Sequence, residues 1–218
     1  EISECLVGSE MCIRDRDTED YYDQECSWWH TDERGEVYRN RIRKINGRSY
    51  AFDGIGRMQT GFVLFDEKSE FVARYEVDDW SSEDFIEGTI YGIEKSDLYL
   101  FSPDELNDGS MQIGEDIAVE LEDGVFHFGF ASNGKAFGNR NRLQKKEGMY
   151  YINGLRLEAD EEYGYGVVKV EDGADTYYQV VDTRGKVIEG KKKIVKDKEG
   201  GYLLIIRNRL VAWCGDED

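Results

Sequence analysis

Ser49-Tyr50-Ala51-Phe52-Asp53-Gly54-Ile55-Gly56-Arg57-Met58-Gln59-Thr60-Gly61-Phe62 is the stretch that decides the fold. Tyr50-Ala51-Phe52 alternates large and small apolar side chains, the pattern of a short strand with one covered face. Asp53, Gly54 and Gly56 follow, residue types that tolerate or prefer left-handed backbone angles and so reverse the chain. Arg57–Thr60 reads as a second short strand. The unit is an aromatic β-hairpin. One such hairpin is barely stable alone in water, so its rings need neighbouring units to cover them.

The chain supplies those neighbours. Residues 45–63 carry Ile45-Asn46-Gly47, then Asp53, then a closing Gly61-Phe62-Val63. Residues 152–168 repeat the scheme with Ile152-Asn153-Gly154, Asp160 and Gly166-Val167-Val168, two residues shorter in the middle. Weaker copies lie at 28–43, 98–116, 126–139 and 177–190. Their turn glycines, Gly35, Gly56, Gly109, Gly134 and Gly185, are separated by 21, 53, 25 and 51 residues. Those gaps are one or two units of about 25 residues, the spacing of a repeat array. The expected fold is all-β: a solenoid-like array of short β-hairpins in which each unit packs on the next.

Boundaries follow from where the pattern holds. Residues 27–63 and 97–213 carry hairpin repeats. Residues 64–96 form an insertion about one unit long. Within it Phe71–Val77 suits a strand, and residues 78–92 have the capping residues and apolar positions of a short helix. Residues 17–26 read as a linker and 214–218 as an acidic tail. Residues 1–16 fit nothing downstream. Leu6–Asp15, LVGSEMCIRD, resembles one reading frame of a transposon adapter used to build sequencing libraries, and we read 1–16 as an artefactual or disordered tail. Removing it removes Cys5 and Cys12. Cys26 and Cys214, at opposite ends of the array, make neither a disulfide framework nor a metal site.

The chain carries a net charge of −19. Without residues 1–16 it keeps 26 basic against 43 acidic side chains, a net of −17. Phosphate backbones are bound by excess Lys and Arg, so the balance argues against nucleic acid. It disfavours anionic membranes in the same way, and no apolar run is long enough to insert across a bilayer. A neutral or cationic partner is the expectation.

The unit resembles the cell-wall-binding repeats of the choline-binding and glucan-binding type. Their pattern runs roughly Trp-Tyr-Tyr-Phe-Asp-x-x-Gly-x-Met-x-Thr-Gly-Trp. The opening stretch matches it at Tyr50, Phe52, Asp53, Gly56, Met58, Thr60 and Gly61. Asp108–Gly114 matches at Gly109, Met111 and Gly114, and Trp28–Gly35 keeps the aromatic pair, the Asp and the Gly. The resemblance covers most of 27–213. It departs at Ser49 and Phe62, where the pattern has tryptophan. What it implies is a ligand held between adjacent hairpins by aromatic rings. The physics is cation–π attraction for choline, or ring stacking on sugar faces. The candidate ring-lined site is Trp28, Trp29, Tyr50, Phe52 and Phe62, with Tyr150, Tyr151, Tyr177 and Tyr178 behind them.

Other chemistry finds little footing. His30 and His127 occupy aromatic slots of their repeats. Cys26 and His30 are four apart, yet no orienting group or oxyanion site accompanies them. No segment has EF-hand spacing, a phosphate-cradling glycine loop or a nucleophile elbow. No catalytic residue, metal or cofactor is therefore expected. The leading expectation is a non-catalytic module of a secreted Gram-positive surface protein that binds a cell-wall polymer or other glycan, choline-bearing or not. The alternatives are a structural stalk or adhesin segment without glycan binding, and the targeting tail of an enzyme whose catalytic domain lies upstream.

Overall fold

The computed structural model describes residues 10–13, 27–103 and 109–214. The linker 17–26, Cys5, Cys26, Asp108, the acidic tail beyond Cys214 and most of residues 1–16 lie outside them. Within the first sixteen residues, β1 (Glu10–Ile13) pairs antiparallel with β2 (Ser27–His30).

The decisive stretch folds as a three-stranded antiparallel sheet of β3 (Arg41–Ile45), β4 (Arg48–Phe52) and β5 (Met58–Gln59). Asn46-Gly47 joins β3 to β4 with both residues at positive φ, 48° and 90°, as a two-residue hairpin loop requires. Asp53 joins β4 to β5. One of its carboxylate oxygens accepts from the backbone N–H groups of Ile55, Gly56 and Arg57 at 3.0, 2.8 and 2.9 Å. The other accepts from Arg57 Nε at 3.0 Å and Gln59 Nε2 at 3.2 Å. Gly56 sits at φ 103°, and a Cβ there would run into Val37 and the Tyr38 carbonyl.

The other copies use the same device. Asp32 captures the N–H groups of Arg34 and Glu36, and Asp182 those of Arg184 and Lys186. Each such turn returns the chain to pair briefly with the strand it left, Thr31 with Val37 and Val181 with Val187, and a turn with Asn133 in place of the aspartate does the same for Phe130 and Ala136. Phe101 pairs with Met111 in the same relation. All five turn glycines expected from the spacing adopt positive φ. The array of hairpins is thus the observed fold.

The insertion is built into the array. β6 (Gly61–Asp66) lies between β7 (Phe71–Tyr75) and β8 (Ser96–Phe101). Between β7 and β8 runs the expected short helix α1 (Ser82–Glu87), capped by a reciprocal Ser81–Asp84 box and ended by Gly88 at φ 67°. Its Phe85 is fully buried against Phe62 and Phe128, ring centroids 5.1 and 5.0 Å away.

Beyond it come a five-stranded sheet, a two-stranded one and a three-stranded one. The first holds β9 (Gly114–Leu121), β10 (Gly124–Phe130), β11 (Gln144–Lys146), β12 (Met149–Ile152) and β13 (Leu155–Arg156). The second pairs β14 (Tyr165–Asp172) with β15 (Asp175–Asp182). The third holds β16 (Lys192–Lys196), β17 (Tyr202–Ile206) and β18 (Arg209–Cys214).

Two sheets act as shared walls. On β6, Phe62 and Leu64 enter one hydrophobic cluster while Val63 and Phe65 enter the next. On β15, Val181 and Val180 divide in the same way. Side chains alternate across a strand, so a strand apolar at every position can serve two cores.

The Asp53 turn gives a test. Hydrogen bonds to a charged group contribute about 1.5–3 kcal/mol each, and burial raises the cost of losing them. We expect Asp53→Ala to lower unfolding stability by about 3 kcal/mol, and by more than Asp66→Ala, whose carboxylate is exposed and holds two turn N–H groups, those of Lys68 and Glu70. Urea unfolding followed by far-UV circular dichroism measures both; equal losses would remove the special role given to Asp53.

Candidate functional site

The first hairpins build a row of rings from the sequence upward. β2 alternates its side chains, and the Asp32 turn brings Tyr38 back beside it, with the Tyr38 N–H donating to the His30 carbonyl at 3.0 Å. His30 and Tyr38 then stack, centroids 5.5 Å apart and 25° from parallel. Tyr38 tilts onto Phe52 at 5.8 Å, and the Arg43 guanidinium lies 5.5 Å from the Tyr38 centroid. Tyr50 is the cross-strand partner of Arg43, on the same face of the hairpin.

The five expected ring residues divide. Trp28 is 46% exposed, and Trp29 and Tyr50 are half-buried. Phe52 and Phe62 are each 1% exposed. Phe52 closes the ring row from beneath, and Phe62 belongs to the core triad with Phe85 and Phe128. These two present no ring face to a ligand in this conformation. Trp29 packs over the Gly56 turn. Its indole N–H and His30 Nδ1 are buried without a hydrogen-bond partner among the described residues. Of the tyrosines behind them, Tyr150 and Tyr151 are buried, Tyr177 is half-buried beneath Arg209 at 4.1 Å, and Tyr178 is exposed.

Two adjoining clefts open beside the first hairpin, and none of the five rings lines either. The larger, about 490 Å³, is bordered by Lys44, Arg48, Ser49, Ser110, Gln112 and Ser132. The smaller, about 320 Å³, is bordered by Arg41, Ser69, Tyr99 and Asn133. Ser49, Met111 and Ser132 line both. Sequence reasoning missed this place and the Tyr38 stack. The signal was available: residues 39–48 hold five bases, Arg39, Arg41, Arg43, Lys44 and Arg48, and no acid.

A charged cluster lies farther along. Arg156, 8% exposed, bonds Glu158 at 2.6 Å and Asp116 at 2.7 Å, and His127 Nδ1 lies 3.1 Å from Glu158. Both carboxylates are held by the arginine, which ties β9, β10 and β13 together. No group of three or more metal-ligating side chains occurs among the described residues.

No protein-family profile matches the chain, and no curated protein matches it. Solved structures that it resembles include choline-binding proteins. Choline-binding protein F of Streptococcus pneumoniae overlays 86% of this chain and 45% of its own at 14% identity, TM-score 0.44. The same protein in complex with ipratropium gives 95% and 49% at 14% identity, TM-score 0.49. CbpJ of Streptococcus pneumoniae gives 93% and 66% at 12% identity, TM-score 0.45. The chain thus spans about half the length of the choline-binding protein F structures it overlays.

Tyr150 offers a pH test of how these units lock together. Its hydroxyl donates to Gln179 Oε1 at 2.7 Å, and Gln179 Nε2 donates to the Asn208 carbonyl at 2.7 Å, linking three successive sheets. Burial first, then the neighbouring Tyr177, pushes the Tyr150 pKa from 10.0 up to about 12. A raised folded-state pKa stabilises below the unfolded value and the benefit is lost as pH rises through the folded one. Stability should therefore fall between about pH 10 and 12, and fall less steeply in Tyr150→Phe. The difference in 295 nm absorbance titration between the two proteins should show a midpoint near 12; a midpoint near 10 would refute the buried, bonded hydroxyl.

Proposed function

We propose that the hairpin array is a non-catalytic binding module that holds a secreted surface protein to a cell-wall polymer or other glycan. The observation that carries the reading is the ring surface of the first hairpins. Exposed Trp28, half-buried Trp29 and Tyr50, and the His30–Tyr38 stack lie on the first, adjoining hairpins. Rings fixed in this way stack on the apolar faces of sugars with little further loss of side-chain freedom. Trp28, Trp29 and Tyr50 are the residues assigned to ligand stacking. Phe52 supports the Tyr38 ring from the core, and Phe62 lies in the separate triad with Phe85 and Phe128.

The same geometry bears on choline. A quaternary ammonium needs an open aromatic face, and tryptophan is the best one. Arg43 already covers Tyr38. Trp28 is the exposed tryptophan of this surface, and Trp29, its neighbour on β2, faces the other way.

The test is co-sedimentation of the 218-residue chain with purified Gram-positive cell walls, with and without excess choline. The chain should pellet with walls, and Trp28→Ala should weaken pelleting about tenfold, the size of a well-placed ring contact. Release by choline would assign a cation–π contact to the exposed Trp28 ring. Retention in choline would assign a sugar face. Failure to pellet with any wall would overturn the binding reading in favour of a stalk or adhesin segment, to which the burial of Phe52 and Phe62 already lends itself.

A further inference from the structure

The two clefts beside the first hairpin have a chemistry opposite to that of the chain. The protein carries −19 overall. Yet three cations, Arg41, Lys44 and Arg48, border the clefts, and no carboxylate does among the described residues. The rest of the lining is mainly hydroxyl and amide. Chance placement on a surface with 47 acids and 28 bases would put carboxylates there first.

The concavity is also built. The Met111 N–H donates to the Ser49 carbonyl at 2.8 Å, and the Gln112 N–H to the Leu100 carbonyl at 2.8 Å. These bonds fasten the cleft floor to β4 on one side and β8 on the other. The Gln112 amide is oriented by donating to the Ser110 carbonyl at 2.9 Å. Gly134 lies so close to Met111 that any Cβ would meet its sulfur, so the 131–134 turn rests directly on the floor. Lys44 and Ser49 are directly opposed across β3 and β4, on the face that also carries Ile42 and Ala51 into the core. Arg43, by contrast, belongs to the ring-bearing face. None of the rings assigned to stacking lines either cleft, while Arg41 and Arg48 share the face of Arg43 and border the clefts from the two ends of the hairpin.

We propose that the paired clefts bind an anionic sugar or polyol unit, one that carries a phosphate diester or a carboxylate. Lys44 and Arg41 take the charge, Ser49, Ser132 and Gln112 bond the hydroxyls, and Met111 lies beneath the apolar side of the unit. A combined volume of several hundred cubic ångströms suits one or two such units. The acidic surround repels any long polyanion except at this spot, so it is the hydroxyl and amide lining that tells a sugar or polyol unit from a nucleotide.

The experiment measures affinity of the full chain for poly(glycerol phosphate) and for polygalacturonate, with neutral dextran and single-stranded DNA as controls. Affinity for one of the two anionic polymers should exceed that for dextran about tenfold or more, and fall as salt rises from 20 to 300 mM. The polymer preferred tells phosphate from carboxylate. Arg41→Gln with Lys44→Gln should lose that excess. Ser132→Trp, at an exposed position on both clefts, should block it without touching a charge. Binding equal to dextran, or equal for DNA, or unchanged in both variants, would overturn the proposal. Wall pelleting by a chain that shows no excess affinity for either anionic polymer would leave the ring-surface reading standing while this one fails.

Discussion

An aspartate carboxylate that captures the N–H groups of its own turn is the constraint on which the structure depends. In the turn at Asp53, three backbone donors converge on one oxygen and two side-chain donors on the other. Those backbone groups face into the turn, where no strand partner reaches them, and an unpaired buried N–H is costly. The carboxylate satisfies them and fixes the reversal in the same step. Once the turn is set, the returning residue must pair with the strand just left, and the register of every ring follows. Glycine at the fourth position completes the device because the chain passes through positive φ there with a neighbour too close for a side chain, as at Gly56.

Repeating this turn yields units that cannot stand alone. Each hairpin is too thin to hide its apolar residues, so the clusters form between units. Strands such as β6 and β15 are apolar on both faces because they separate two cores. Helix α1 fits the same logic: Phe85 fills the space between Phe62 and Phe128 that another hairpin would otherwise cover. An insertion of about one unit's length is tolerated because it brings its own apolar face to that gap.

Much of this was legible in residues 45–63. The Asp-to-Gly spacing announced the turn, the five glycines announced its recurrence, and the capping residues around Ser81 announced the helix. The division of the rings was not legible. Tyr50, Phe52 and Phe62 look alike in a repeat motif, but which ring is covered depends on contacts distant in the sequence, as Phe62 makes with Phe85 and Phe128. Motif matching also weighs aromatic positions and passes over cations, so the basic run at 39–48 stood outside the reading although it was in plain view. Asn46-Gly47 had served as a marker of repetition; its two positive φ values show that it is a hairpin turn in its own right.

Charge, finally, has to be read by place and not by sum. At physiological salt, electrostatic influence fades over about 8 Å. A net of −19 therefore says little about a cleft bordered by Arg41, Lys44 and Arg48. It does set what lies around the cleft: a long polyanion meets acidic surface on either side of three local cations, so attraction is confined to the few units that reach them. Rings on the first hairpins and cations at the clefts beside them would let one end of the array engage a glycan by its apolar surfaces and by its anions at once. The two contacts obey different physics, since salt screens the second and leaves the first, and that difference makes their contributions separable in one protein.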